Sequence, residues 1–132
     1  MGVRATGRKL AMQALYQAEV KQCDIQDIIA VFIEASDYQK ETKDWARLLA
    51  VNAWAARELA DKTIKRLSKD WSFDRIMPVD KSILRLALYE LTETDTPHKI
   101  VVNEAVEISK RYSTEDSPRF INGILGQCLE SK

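Results

Sequence analysis

Apolar residues recur along this chain at helical spacing, and the pattern predicts helices from end to end. In residues 8–22, Leu10, Ala11, Ala14, Leu15 and Ala18 form one stripe of small and aliphatic side chains. Asp24 reads as the N-cap of a second helix, with Asp27 in its first turn and Ile25, Ile28, Ile29, Phe32 and Ile33 at i, i+3, i+4 positions. A polar connection over 36–43 leads to a long segment, 42–69, in which Trp45, Leu48, Leu49, Ala53, Ala56, Leu59, Ala60, Ile64 and Leu67 hold one stripe. An uncapped run of that length admits a break. Residues 71–77 predict a short helical turn ahead of Pro78, and 79–91 a further helix carrying Ile83, Leu84, Ala87, Leu88 and Leu91. Thr96-Pro97 and Ser117-Pro118 each place a hydroxyl N-cap before a proline at the first helical position. The helices they start carry Val101, Ala105 and Ile108, then Ile121, Ile124, Leu125 and Cys128. The expectation is an all-α, compact bundle of six or seven helices with no strands. It forms a single domain over 1–132, built of two helical halves meeting along the long third segment.

Composition supports that reading. The 132 residues are 45% hydrophobic and 30% charged, which excludes a disordered chain, and a chain this size buries enough surface to fold without a disulfide or metal. Its four glycines sit at the ends: Gly2 and Gly7, then Gly123 and Gly126, with 115 glycine-free residues between. Sheet proteins spend glycine on hairpin turns. No apolar run approaches a membrane-spanning length, and the N-terminus lacks the apolar stretch of a signal peptide. Cys23 and Cys128 are far apart without C-x-x-C spacing, and His98 is the sole histidine, so no zinc site and no cofactor is expected. Two unpaired cysteines fit a reducing, cytoplasmic setting.

Equal totals of 20 basic and 20 acidic residues conceal blocks of alternating sign. Residues 1–23 hold four basic side chains and one acidic, and within the first nine residues Arg4, Arg8 and Lys9 stand without an acid. At 100° per residue, Lys9, Gln13, Tyr16 and Val20 lie opposite the apolar stripe of the first helix, with Arg8 and Met12 at the edge of that face. Cations for phosphates beside a ring for stacking is the combination used by binders of single-stranded RNA. Equally, Tyr16 could pack against a neighbouring helix and leave the charges merely solvated.

A second candidate surface precedes the last helix, where Ser113 to Ser117 lead into Pro118, Arg119 and Phe120. Free N–H groups at a helix start attract anions, and Arg119 adds charge. Phe120 lies about a quarter-turn from the apolar stripe, and Gly123 and Gly126 share the opposite face with Arg119. Glycine costs about 1 kcal/mol in a helix interior, so close approach of a partner or a frayed end are both open. Asp116 suits a base edge or the orientation of a neighbour better than a phosphate. Glu115 and Asp116 lack an accompanying nucleophile, phosphate loop or metal cluster, so no enzyme is expected.

Three blocks resemble the NusB family of bacterial transcription antitermination factors: R-x-L-A-M-Q-A-L-Y-Q, S-I-L-R-L-A-L-Y-E-L, and V-V-N-E-A-V-E-I-S-K-R-Y-S-T-E-D-S-P-R-F-I-N-G-I-L. The similarity extends from about residue 8 to 129. The same fold occurs as an accessory domain on some rRNA cytosine methyltransferases; with no room here for a methyltransferase domain, a stand-alone factor is expected. The resemblance implies binding of the boxA element in nascent rRNA leader transcripts, jointly with a small-subunit ribosomal protein also called NusE, linked through other Nus factors to RNA polymerase. It implies RNA-binding roles for Arg4, Arg8, Lys9, Gln13, Tyr16, Asp116, Arg119 and Phe120, and partner-binding roles for Asp80 and His98. Many members carry a dense arginine run where this chain reads R-A-T-G-R-K, so fewer phosphate contacts are expected here. Some members self-associate, and exposed Tyr16, Met12 and Val20 would suit a homodimer as well as RNA. The alternative to RNA binding is a helical protein–protein adaptor whose basic end is incidental.

Overall fold

The structure, a computed structural model, describes residues 2–68 and 72–130. Within these, seven α-helices follow in order: α1 (Val3–Lys21), α2 (Ile25–Ile28), α3 (Lys40–Ala55), α4 (Arg57–Leu67), α5 (Pro78–Glu93), α6 (His98–Tyr112) and α7 (Ser117–Glu130). α2 continues directly into a π-helical turn, Ile29–Ile33, and a 3-10 turn, Phe73–Arg75, precedes α5. No strand occurs among the described residues, so the all-α architecture is as expected. Residues 69–71, with Lys69 and Trp71 of the predicted elements, lie outside the described residues.

The helix boundaries follow local chemistry. The Asp24 carboxylate accepts the Gln26 N–H at 2.8 Å, capping α2. Pro78 occupies the first turn of α5, where its missing N–H leaves no bond unmade. The two hydroxyl-proline starts fall one residue away from expectation. The Val101 N–H donates to the Pro97 carbonyl, which makes Pro97 the cap of α6, and the Thr96 hydroxyl pairs with Thr94 instead. The Phe120 N–H donates to the Asp116 carbonyl, which makes Asp116 the cap of α7 and draws Ser117 into the helix.

The long segment is two helices. At Ala56 the backbone leaves helical geometry (φ −92°, ψ 7°), and the Arg57 guanidinium covers the Trp54 carbonyl at 2.8 Å. The change of axis splits the predicted stripe: Leu49, Ala53, Ala60 and Ile64 are buried, whereas Leu48 and Leu59 are exposed.

α1 starts five residues earlier than the predicted segment 8–22, which places Gly7 in its interior. A β-carbon there would fall onto the indole ring of Trp45 on α3, so glycine lets these two helices cross closely. α5 is the axis of the molecule. It packs against α1, α3, α4, α6 and α7, burying Ile83, Leu84, Leu86, Ala87, Leu88 and Leu91. The two halves therefore meet across α5 rather than along the third segment. One continuous apolar cluster runs through both.

Two buried arginine forks join the halves. On α1, Arg8 Nε donates to both carboxylate oxygens of Glu90 (3.0 and 2.9 Å) and Nη2 to Oε1 (2.9 Å). On α5, Arg85 grips Asp61 of α4 with two bonds of 2.8 Å and Glu19 of α1 with one of 2.7 Å. Such two-pronged pairs fix geometry as well as charge. Among the described residues, no helix is long and apolar enough to cross a membrane.

Candidate nucleic-acid interface

The start of α1 separates its three cations. The Arg4 side chain is exposed, with its guanidinium 3.8 Å from the centre of the Trp45 ring. Lys9 is half-buried and its ammonium donates to the Tyr38 hydroxyl at 3.0 Å. Arg8 belongs to the interior. It is only 4% exposed, its donors are committed to Glu90, and Glu104 lies 3.7 Å away. The expectation that Arg8 holds a phosphate is corrected accordingly, because reaching RNA would strand Glu90 as a buried carboxylate. Met12, expected at the edge of the open face, is also buried and offers nothing to a dimer or to RNA. Gln13 is half-exposed, and Tyr16 is partly buried against the apolar cluster, with part of its surface open. Lys9 and Ala5 form one wall of a shallow groove of about 180 Å³; α6 supplies the other through Glu104, Glu107, Ile108, Arg111 and Tyr112.

The second surface is a hollow of about 380 Å³ between the lead-in to α5 and the start of α7. It brings together Asp80, Asp116, Arg119 and Phe120 of the expected residues, and adds Arg75, Ile76 and Met77. Ile76 is buried, Phe120 half-buried and Met77 exposed, so the hollow has an apolar floor, while Arg75 and Arg119 supply exposed cations at its rim. A flat apolar ring system with phosphates fits that arrangement chemically.

Asp80 has a different place from the one expected. It is 6% exposed, and its carboxylate accepts the Ser113 hydroxyl at 2.6 Å and the Ser117 hydroxyl at 2.9 Å. The Thr114 hydroxyl and N–H complete the knot around Ser117. Asp80 therefore ties down the loop that carries Asp116, and its burial removes it from a docking surface. His98 is exposed at the first position of α6. A β-carbon added at Gly123 or Gly126 would meet nothing within 4 Å, so packing inside the chain does not require glycine at either position.

Sequence reasoning passed over Tyr38, Arg75, Met77, Arg111 and Tyr112. Tyr38 and Arg75 lie in connections, where periodicity has no face to point to, and Arg111 and Tyr112 end a helix whose stripe looked complete without them. Among the described residues, no group of three or more histidine, cysteine or acidic side chains is placed to hold a metal ion.

A model of the NusB family matches residues 5–130. The chain is 38% identical over 128 residues to the transcription antitermination protein NusB of Trichlorobacter lovleyi, a match that spans 96% of this chain and 90% of that protein. Among solved structures it is similar to NusB of T. maritima, with a TM-score of 0.85, 37% identity, and coverage of 96% and 90% of the two chains. A chain in the crystal structure of a plectonemic RNA supercoil superposes with a TM-score of 0.90 at 26% identity, over 99% of this chain and 96% of that one.

Proposed function

This chain belongs to the NusB family, and from that premise we propose that it is a cytoplasmic, non-enzymatic transcription antitermination factor that binds single-stranded boxA-type RNA of rRNA leader transcripts. The observation that carries the reading is the pairing of open cations with aromatic or apolar surface at two places: Arg4 and Lys9 at the start of α1, and Arg119 with Phe120 at the start of α7. The similar chain crystallised with an RNA supercoil supports it. Phosphates would meet Arg4, Lys9 and Arg119; bases would stack on the open parts of Tyr16 and Phe120, with Gln13 and Asp116 donating to or accepting from their edges.

The protein partner in this proposal is the ribosomal protein NusE, with other Nus factors and RNA polymerase reached through it. His98 remains a candidate on that face, since it is exposed. With Arg8 internal, the cations left for phosphates are few, so affinity of the free chain relies on NusE. A gel-shift with boxA-type RNA over a salt series, with and without NusE, tests the proposal. Tyr16→Ala and Phe120→Ala should each cost about 1–3 kcal/mol of binding. Unchanged affinity in both would leave the adaptor reading in its place.

A further inference from the structure

Tyr38 and Tyr112 are the two Phe, Tyr or Trp side chains in the exposed range among the described residues, 40% and 38% open; Tyr38 stands beside Lys9, and Tyr112 lines a groove with it. Tyr38 comes from the connection before α3 and Tyr112 from the end of α6, so chain topology rather than sequence brings them to the start of α1. The Lys9 ammonium meets the Tyr38 hydroxyl at 3.0 Å and lies 5.3 Å from its ring centre, while Lys9 and Tyr112 line the same groove.

The charges of that groove decide what it can accept. Of its two acids, Glu107 faces Lys110 at 3.2 Å, while Glu104 lies 3.7 Å from Arg8, whose charge Glu90 already holds. Arg111 is exposed and has no ion-pair or hydrogen-bond partner among the described residues. Against the single carboxylate of Glu104 stand two cations, Lys9 and Arg111, with the Tyr112 ring in the groove and the Tyr38 ring beside Lys9. An acidic strand with flat faces complements this surface; a neutral apolar segment would leave Lys9 and Arg111 without a counter-charge.

We infer that Tyr38, Lys9, Arg111 and Tyr112 form a second stacking strip for single-stranded RNA, in which bases lie on the two tyrosine rings and Lys9 and Arg111 hold the phosphates. The strip rests on the RNA-binding reading above and extends that contact across the α1–α6 groove. It is sequence-tolerant, since any base has a face to stack.

The test measures binding of a fluorescein-labelled boxA-type RNA to the full chain by anisotropy, alone and with NusE. Tyr38→Ala and Tyr112→Ala should each weaken binding about fivefold or more, the lower end of what loss of one stacked base costs. Tyr38→Phe and Tyr112→Phe should stay within about twofold of the parent, because the ring is kept. Circular dichroism should be the same for all four, as both side chains are on the surface. If Tyr16→Ala weakens binding while Tyr38→Ala and Tyr112→Ala do not, the strip is overturned and the RNA reading stands. Equal losses in the phenylalanine variants overturn stacking, as does loss of NusE binding with RNA affinity unchanged. If the parent chain fails to bind the RNA under either condition, the RNA reading itself fails and the strip with it.

Discussion

Arg8 and Lys9 are adjacent in the chain and chemically alike, yet one is interior and the other faces out. Arg8→Ala would leave Glu90 as a buried charge without its partner, a loss of about 3–5 kcal/mol of stability by denaturant unfolding. Lys9→Ala should unfold within about 0.5 kcal/mol of the parent and lose RNA affinity. A helical wheel places Arg8 at the edge of the polar face, and that much is local information. What sends it inward is a glutamate 82 residues away, for which the sequence holds no local signal. Gly7 gives a second contrast. Alanine is the better helix former by about 1 kcal/mol, but its methyl would meet the Trp45 ring, so Gly7→Ala should destabilise by about 1–3 kcal/mol. Gly123→Ala, in open space, should stabilise by up to about 1 kcal/mol. Thermal or urea unfolding of the pair reads the opposite signs directly.

Among the helices, the short-range signals were legible and the long-range ones were not. The Asp24 cap, the Pro78 start and the stripe Ile121, Ile124, Leu125 and Cys128 all depend on neighbours within a turn, and each stands where periodicity puts it. The break at Ala56 has no proline or glycine to announce it, and the exposure of Leu48 and Leu59 follows from the change of axis there. Asp80 shows how a loop between helices is fixed. Asp80→Ala removes the acceptor of two hydroxyls and should cost about 1–3 kcal/mol, together with RNA affinity as Asp116 loses its anchored loop. The contact between α1 and α5 is also sensitive to acid. The Arg85 hydrogen bond holds the Glu19 carboxyl below its usual range, against the opposing effect of burial. A lowered carboxyl contributes stability that is present above the unfolded value, about pH 4.3, and is lost as pH falls through the folded one. The deficit of Glu19→Gln relative to the parent should therefore be present at pH 7 and shrink below about pH 4, as urea midpoints at the two pH values will register.

Across the chain as a whole, equal numbers of acidic and basic residues provide no net attraction for nucleic acid, so binding depends on the few cations left open on the surface. Folding has withdrawn Arg8 and Arg85 into its own framework. On the two candidate surfaces Arg4, Lys9, Arg75, Arg111 and Arg119 remain, beside rings whose contribution is insensitive to salt. The family motifs pointed to both ends of this surface, but Tyr38 and Tyr112 come to the start of α1 only when the connection before α3 and the end of α6 are folded around it. RNA recognition by a small set of cations and aromatic rings is decided by the salt dependence of boxA-type RNA binding with and without NusE. With three or four phosphate contacts on a single strand, log Kd should change with log salt at a slope of about 2–3, with tighter binding when NusE is present. Absence of binding under both conditions, or a free chain that binds as tightly as the pair at moderate salt, would refute such recognition.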